Sequence, residues 1–387
     1  MRLNNKIKKA VLLLGTSLCF AHMASAQTEF SYSGYIKLDT LVSNYDSGET
    51  GRLNRDFYIP GLIPVSGEND PEDSGTEFDM HARQSRFIFQ TKTSLENGKS
   101  IGTKLEFDFQ VLGLGDERIS NSYVPRIRQA YITYDNFLFG QAWTTFMNLN
   151  ALPDSVDFIG NTDGTLFNRQ SMIRYSYKGF QVSIENPETT ISNFQAGGRV
   201  VTDDNSVPDL VMRYNWNGDW GTLSASALVR QLACEDAGLG CDDSETSYGL
   251  TFGGKIKVGD RDDIRFNLTS GTGLGRYFAL NTANGAVFDQ NGNLEAIDSS
   301  GYSIAYRHFW NDKWRSSFMY SAFNADNDVS LTGGGVTEKT HSVRANLMYS
   351  PVDKLSFGVE LSHAERELEN NADGSMDRFQ FSVKYAF

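Results

Sequence analysis

The sequence predicts a transmembrane antiparallel β-barrel of about 16 strands, and three observations lead to that prediction. Apolar and polar residues alternate through most of the chain. The connectors between the alternating segments are long and short in turn. The final segment ends on an aromatic residue, Phe387. Because a barrel strand is apolar on one face only, such a chain can cross a bilayer without a long apolar run.

The N-terminus predicts an export signal over residues 1–26. It has a basic start, a short apolar core at 10–21, and the small-residue cleavage site Ala24-Ser25-Ala26. The apolar core is too short for a helical span, which needs about 20 residues. We expect the mature chain to begin at Gln27. We expect residues 27–387 to form one barrel domain, because no Pro-, Ser- or charge-rich linker divides them.

The alternating segments give the predicted strands, whose ends are uncertain by about 2–4 residues. They are 29–43, 79–95, 101–112, 124–135, 136–143, 169–178, 179–186, 208–217, 219–231, 245–259, 262–273, 300–311, 312–324, 338–350, 353–365 and 377–387. In the third, for example, Ile101, Leu105 and Phe107 share one face, while Lys104 and Glu106 share the other.

The connectors predict the orientation of the barrel. Short connectors rich in Asn, Asp and Gly suit tight hairpins, which need residues that tolerate positive φ. Between them lie the long connectors 44–78, 113–123, 144–168, 187–207, 232–244, 274–299, 325–337 and 366–376. Short periplasmic turns opposite long external loops are typical of outer-membrane barrels. An even strand number places both termini on the periplasmic side.

Aromatic residues lie at the short-turn end of the predicted barrel. Trp216 and Trp220 flank one turn, and Trp310 and Trp314 flank another. Such rings are favoured at a membrane interface. The last strand, 379–387 (FQFSVKYAF), is apolar at every second position back from the terminal Phe. This resembles the signal read by the outer-membrane barrel assembly machinery, which we expect to be a partner.

Composition excludes several functions. The formal net charge is −13 and the pI is about 4.9, so nucleic acid is not an expected partner. Cys234 and Cys241 favour a disulfide in an exported chain. A metal site is less favoured, because no second Cys pair or nearby His accompanies them. We predict no metal, no cofactor and no catalytic role for the pair.

Placing the more apolar face of each strand outward predicts which charges face the lumen. The inward basic residues are Lys37, Arg86, Lys92, Lys104, Arg174, Arg213, Arg230, Lys255, Lys257, Arg265, Arg307, Arg315, Arg344, Arg378 and Lys384. The inward acidic residues are Asp39, Glu106, Asp108, Glu185 and Glu360. A basic lumen favours anions over cations. The same phase points Arg126 and Arg128 towards lipid or an interface.

The connector 144–168 is long and more apolar than the others, with Phe146, Leu152 and Phe158 among its residues. Folding into the barrel would bury these side chains and narrow the pore. Packing on neighbouring loops or subunits would bury them as well. We predict a constriction loop here, and we assign Phe146, Pro153, Asp154 and Asp157 to it.

Several segments resemble one family, the DcaP-like porins. They are 34–39 (GYIKLD), 85–87 (SRF), 105–109 (LEFDF), 126–131 (RIRQAY), 137–146 (FLFGQAWTTF) with Pro153, Asp154 and Asp157, and 168–175 (NRQSMIRY). The resemblance is clear over residues 34–175 and diffuse afterwards. Two departures stand out. The coiled-coil segment that precedes the barrel in some members is absent here, and Ser171 stands where we would expect Pro.

The resemblance implies a homotrimer that imports small anions such as dicarboxylates. It also implies that residues 144–168 form the constriction loop and that Arg86, Arg126, Arg128, Arg169 and Arg174 match basic positions of the family. The expected surroundings are lipid and lipopolysaccharide of a Gram-negative outer membrane.

Three other functions remain open. One is a general porin without selectivity. Another is a barrel enzyme, but His81, His308, His341 and His363 lie on separate predicted strands, and the chain has no Gly-x-Ser-x-Gly motif. The third is a barrel without transport, an adhesin or anchor. A plugged transporter is disfavoured, because such barrels have about 22 strands.

Overall fold

The structure, a computed structural model, describes residues 28–66, 75–110, 115–116, 120–236, 238 and 240–387. The predicted signal over residues 1–26 and its cleavage site lie outside these ranges, as does Gln27.

Sixteen strands close into one antiparallel barrel, which confirms the predicted fold class. The second strand is formed by two segments, called β2a and β2b. The strands are β1 Thr28–Tyr45, β2a Gly75–His81, β2b Arg86–Ser94, β3 Ser100–Asp108, β4 Arg126–Tyr134, β5 Phe137–Trp143, β6 Arg169–Tyr177, β7 Phe180–Glu185, β8 Asp209–Gly218, β9 Gly221–Asp236, β10 Cys241–Val258, β11 Asp262–Thr272, β12 Asp298–Phe309, β13 Trp314–Asp326, β14 Thr337–Val352, β15 Leu355–Leu368 and β16 Asp373–Ala386.

The barrel closes where the first strand meets the last. β1 pairs with β16 from Tyr35–Ala386 to Tyr45–Met376. The terminal ring of Phe387 then packs against Tyr32 and Phe87, with centroids 6.2 and 6.0 Å apart. Closure leaves the sheet without a seam, so nearly every backbone polar group in the wall finds a partner inside the sheet, as a bilayer requires.

The second strand departs from the prediction of one continuous segment. β1 pairs with both pieces, Asp39 lying opposite His81 and Tyr35 opposite Arg86. The second strand therefore has one residue more than β1 over this stretch, as at a β-bulge. Arg83, in the interruption, is buried and forms an ion pair with Asp56 at 2.5 Å.

The alternation of short turns and long loops is present as predicted, and residues of positive φ occupy the turns. Asp135 has φ 55° and Gly179 has φ 86°. The prediction of a long loop at residues 232–244 is wrong. β9 and β10 continue through it, pairing as far as Asp236 opposite Cys241. The acidic residues there indicate contact with water, which in the sequence favours a loop. A hairpin whose strands extend above the membrane contacts water as well, so the acidic residues do not mark the end of the strands.

The external loops carry the remaining regular structure. A four-stranded sheet combines Thr189–Ser192, Arg199–Thr202, Ala286–Phe288 and Leu294–Ala296, and a small hairpin joins Gly115–Asp116 to Ser122–Tyr123. The helices are short: Arg52–Asp56, Val329–Thr332, and the 3-10 turns Pro60–Leu62, Leu149–Ala151 and Gly275–Tyr277. Within the described residues, none of these helices has the length and apolar character needed to cross a membrane.

Large apolar side chains cover the outside of the barrel. Leu250 is 63% exposed and Leu361 is 63% exposed, although both belong to central stretches of long strands. Trp216, Trp220, Trp310 and Trp314 are exposed beside the short turns. An apolar band bounded by aromatic rings matches the hydrocarbon layer and its interface with water.

Candidate functional site in the barrel interior

Eight of the fifteen basic residues predicted to face the lumen form the predicted substrate path, and all eight lie on the inner wall, where they contact inner loops or inner acids. In strand order they are Arg86, Lys104, Arg174, Arg213, Arg230, Arg265, Arg307 and Arg344. Their partners differ, and the partners determine which charges are available to a solute.

The outward placement of Arg126 and Arg128 is wrong. The register between β3 and β4 shifts after the pair Glu106–Gln129, since the next pair is Phe107–Ile127. Arg128 is the extra residue of this bulge, so it turns inward together with Gln129 and is only 2% exposed. A single inserted residue reverses the alternation of a strand, and residues before the bulge take the opposite phase.

The bulge completes a basic cluster on the wall formed by β2b, β3, β4 and the start of β6. Its members are Arg86, Lys104, Arg126, Arg128 and Arg169, together with the acids Glu106 and Asp108. Glu106 lies 2.7 Å from Arg128 and 2.9 Å from Lys104. Asp108 lies 2.6 Å from Arg128. Five cations surround two carboxylates, so the cluster carries excess positive charge.

Arg169 contributes the least neutralised charge of the basic cluster. Among the described residues, no carboxylate lies within ion-pair distance of it, and its Nη1 has no hydrogen-bond partner. Its guanidinium lies 4.8 Å from the ring centroid of Trp143 and 5.6 Å from that of Phe167. Arg128 lies 5.3 Å from the ring of Phe158. Aromatic faces therefore border the basic cluster on the side of loop 144–168.

The loop of residues 144–168, called L3, folds into the barrel as predicted. Cations of the wall donate hydrogen bonds to its backbone carbonyls. Arg213 reaches the oxygen of Met147 at 2.7 Å, and Arg265 reaches that of Leu152 at 2.5 Å. Lys37 reaches the oxygen of Val156 at 2.6 Å, from the far side of the barrel. L3 is thus fixed along the wall by charge-assisted hydrogen bonds from several strands.

The residues assigned to the constriction divide into anchors and packing groups. Asp154 accepts from Arg315 Nε at 2.7 Å and lies 3.4 Å from Arg307. Burial by itself would raise the pKa of the Asp154 carboxyl. Together, the positive charges of Arg315 and Arg307 lower it by more than burial raises it, so the pKa is below its ordinary value. Asp157 lies 3.8 Å from Arg344 and is buried. Pro153 packs near Gly160 in the same loop.

Phe146, the remaining residue assigned to the constriction, is completely buried. It packs against a loop for which the sequence predicts no role. This loop, L6 (residues 273–297), enters the barrel, and Tyr277 and Phe278 join the same apolar cluster. Its backbone pairs with L3, since Phe167 N donates to Tyr277 O at 3.0 Å. The apolar run from Leu274 to Leu280 is the signal that could have revealed it.

Loop L1 (residues 46–74) contacts the opposite part of L3 through its described residues. The Tyr58 hydroxyl donates to Asp163 at 2.7 Å, and the ring of Phe57 lies 5.1 Å from that of Phe158. Ser321 donates to the same Asp163 carboxylate at 2.7 Å. L1, L3 and L6 therefore form one packed layer inside the barrel, and the basic cluster lies on the wall beyond the aromatic edge of L3.

The eight predicted cations thus serve different purposes. Arg174, Arg213, Arg265 and Arg307 bind L3, the first through the carbonyl of Trp143 and the hydroxyl of Thr145. Arg230 and Arg344 are buried beside carboxylates, at 3.4 Å from Asp209 and 3.4 Å from Glu360 respectively. Arg86 and Lys104 belong to the basic cluster. Alternation indicates the side of the wall, but it does not show which carbonyl or acid a cation meets there.

Cys234 and Cys241 are joined by a disulfide across the end of the β9–β10 hairpin, with Cα atoms 5.8 Å apart. Both are buried in a small apolar cluster with Ile191, Leu232 and Phe288, beneath the external four-stranded sheet. The disulfide therefore joins the two strands at the end of the hairpin, and the apolar cluster around it packs the external sheet against this end. In the part of the chain described here, no group of His, Cys, Asp or Glu is arranged to hold a metal ion.

Comparison with solved structures gives outer-membrane proteins and porins among the neighbours. The outer membrane channel DcaP of Acinetobacter baumannii aligns with a TM-score of 0.76 and 23% identity, over 94% of this chain and 98% of that one. The anion-selective porin from Comamonas acidovorans aligns with a TM-score of 0.54 and 13% identity, over 93% and 100%. OmpT of Vibrio cholerae, in a trimer form, aligns with a TM-score of 0.52 and 12% identity, over 93% and 99%.

A comparison with curated proteins found no match. A family comparison matched the DcaP outer membrane protein family over residues 1–387. With the closed barrel, the apolar outer band and the polar interior, this match makes the protein a porin-type channel of the Gram-negative outer membrane. The chain belongs to the DcaP outer membrane protein family.

Proposed function

We propose that this channel passes small anions by preference, dicarboxylates among them, and that the basic cluster sets the preference. The observation that carries the proposal is the excess of five cations over two carboxylates on one wall, beside the aromatic edge of L3. Flux is passive, and guanidinium groups replace part of the hydration that an anion loses in a narrow passage.

The chemistry of the cluster favours carboxylates. Guanidinium groups bind carboxylates through two parallel hydrogen bonds, which a lysine cannot do. Three arginines lie close together here, since Arg126 and Arg128 both contact Asp108 and Arg86 lies 3.9 Å from it. A solute with two carboxylates can contact Arg169 and one further cation of the basic cluster at once, whereas a monocarboxylate can contact only one of them.

Charge removal from the basic cluster tests the proposal. In Arg169→Gln, and further in Lys104→Gln with Arg169→Gln, we expect the permeability ratio of chloride to potassium to fall in steps, because each change removes one positive charge beside the passage. Reversal potentials in planar bilayers under a salt gradient measure the ratio.

Arg261→Gln is the matched control, because Arg261 forms an exposed pair with Asp312 at a periplasmic turn. If wild-type protein shows no preference for anions, the protein is a general porin instead. If the cluster variants keep the ratio of the control, the basic cluster does not set the preference. Succinate and acetate, compared as permeant anions, test the preference for two carboxylates.

We also propose that the channel is a homotrimer whose outer face contacts lipid and lipopolysaccharide, assembled by the barrel assembly machinery. The trimer form of OmpT from Vibrio cholerae, which shares this fold, supports the proposal. The mass of the detergent-solubilised protein, measured by light scattering with correction for bound detergent, distinguishes a trimer from a monomer.

A further inference from the structure

A small cavity lies on the periplasmic side of L3, separate from the basic cluster. It has a volume of about 140 Å³ and is roofed by L3 residues 155–158. The wall below is formed by the periplasmic parts of β1, β13, β15 and β16, which contribute Tyr35, Arg315, Ser356, Ser382 and Lys384. The lining is mainly polar side chains, so the cavity suits a hydrated or charged occupant.

One cation of this cavity is uncommitted. Lys37 uses its ammonium group fully, on Asp39 at 2.9 Å, Gln84 at 2.8 Å and the Val156 carbonyl at 2.6 Å. Arg315 is paired with Asp154 at 2.7 Å. Lys384 differs, because among the described residues no carboxylate lies within ion-pair distance of its ammonium. Its Nζ lies 5.5 Å from the ring centroid of Tyr35, and Asp154 acts on it electrostatically from beyond ion-pair distance.

The surrounding charges leave this region positive. Arg265, Arg307 and Arg315 share only Asp263 and Asp154, which form a chain of ion pairs along the wall. Asp157 of L3 also lines the cavity, but it lies 3.8 Å from Arg344. Lys384 adds one more positive charge beside the chain of ion pairs. A half-buried ammonium with no carboxylate of the described residues within ion-pair distance favours an anion, because ions of opposite charge in a poorly hydrated site attract more strongly than in bulk water.

The cavity adjoins the basic cluster through two aromatic rings. Tyr35 lies under the Arg86 guanidinium at 5.2 Å and under the Lys384 ammonium at 5.5 Å. Phe158 likewise lines the cavity and contacts Arg128. An anion that leaves the basic cluster towards the periplasm therefore meets Lys384 next.

We propose that this cavity is a second anion-binding subsite, which holds one small oxyanion group, a carboxylate or a tetrahedral oxyanion, between Lys384 and the hydroxyls of Ser356 and Ser382. The proposal rests on the anion preference proposed above. A second site after the first supports conduction, because an anion can leave the cluster for another favourable position before it reaches the periplasm.

The test is block of chloride current by sulfate, and separately by acetate, added on the periplasmic side of single channels in a planar bilayer. We expect Lys384→Gln to raise the half-blocking concentration roughly tenfold, as loss of a charge-assisted hydrogen bond requires, and Lys384→Arg to restore block. The anion whose half-blocking concentration changes more between wild type and Lys384→Gln, sulfate or acetate, identifies the preferred oxyanion geometry. Lys313→Gln, an exposed lysine in a periplasmic turn, is the matched control.

Correct folding of each variant is checked by the shift in electrophoretic mobility on heating, so a misfolded protein is not scored. The subsite would be overturned if the half-blocking concentration of sulfate, and likewise that of acetate, were the same in wild type, in Lys384→Gln and in Lys313→Gln. That result is separable from failure of the proposed function, because the chloride-to-potassium ratio would still respond to Lys104 and Arg169.

Discussion

At the scale of single residues, burial and pairing divide the inner cations into two kinds. Arg344 is 2% exposed, lies near Glu360 and Asp157, and covers the ring of Tyr58 at 4.4 Å. Arg169 and Lys384 have no such carboxylate among the described residues. Buried pairs of the first kind fix the interior, while cations of the second kind are available to a solute.

Replacement of Arg344 by Gln should lower the free energy of unfolding by about 3–5 kcal/mol, because two buried carboxylates lose their counter-ion. Arg261→Gln, which breaks an exposed pair, should cost about 1 kcal/mol or less. Urea titration of the detergent-folded barrel, followed by tryptophan fluorescence, measures both. Equal costs for the two variants would show that the Arg344 contacts are energetically unimportant.

The protonation of Asp154 determines how the attachment of L3 to the wall depends on pH. Its carboxyl has a folded-state pKa below its ordinary value, because Arg315 and Arg307 outweigh the effect of burial. A lowered folded pKa means that the stabilisation is complete above the ordinary carboxyl pKa of about 3.9 and is lost as pH falls through the folded value.

Between pH 7 and 5 we therefore expect the noise of the open-channel current, recorded from single channels at fixed voltage, to be low and constant. The noise should increase only below the ordinary carboxyl pKa of about 3.9, as pH falls through the lowered pKa of Asp154 in the folded barrel and L3 loosens. In Asp154→Asn the noise should be high at pH 7 already. Noise in that variant equal to wild type at pH 7 would contradict the anchoring role.

At the scale of elements, L3 combines the wall and the other loops into one interior. Wall cations bind its carbonyls, L6 pairs with its backbone, and L1 packs on its tip. Gly164 marks a close approach of L3 to the wall. A Cβ there would lie 2.0 Å from the carbonyl oxygen of Tyr302 on β12.

Gly164→Ala should push L3 away from β12, because a backbone oxygen cannot yield to a methyl group at that distance. We expect a lower thermal midpoint and several conductance levels in place of one. Gly51→Ala is the control, since a Cβ at Gly51 has no atom within 4 Å. A single unchanged conductance in Gly164→Ala would show that L3 does not depend on this contact.

At the scale of the whole molecule, the bilayer and the water-filled interior impose opposite demands on the two faces of one sheet. The apolar residues on the outside are exposed because lipid surrounds them. The polar residues inside meet loops, water and solutes. This inversion explains why the chain has negative mean hydropathy and still crosses a membrane.

Leu250→Arg tests the outer face. Leu250 is 63% exposed on β10 within the apolar band, so an arginine there should cost about 2–4 kcal/mol of folding free energy in lipid bilayers. Val207→Arg is the control, since Val207 is 51% exposed in an external loop and should cost little. Urea unfolding in vesicles measures the difference, and equal costs would place Leu250 outside the hydrocarbon layer.

Much of this protein is determined locally. Alternation in β3 or β10 fixes which face is apolar, because side chains point to opposite faces at every residue, and the length of each connector fixes its side of the membrane. That is why the strand number and the position of L3 could be predicted. The extra residue at Arg128 and the continuation of the hairpin past Cys234 could not, because a bulge and a strand above the membrane leave no periodic signal.

Only the tertiary structure decided the chemistry of the interior. Arg213 and Lys384 look alike in sequence, as basic residues on inward positions. Closure of the barrel brings Arg213 to the carbonyl of Met147 and leaves Lys384 facing a cavity, with no carboxylate of the described residues within ion-pair distance. The physical reason is that free charge depends on which groups distant in sequence come within a few ångströms, and closure of the sheet sets those distances.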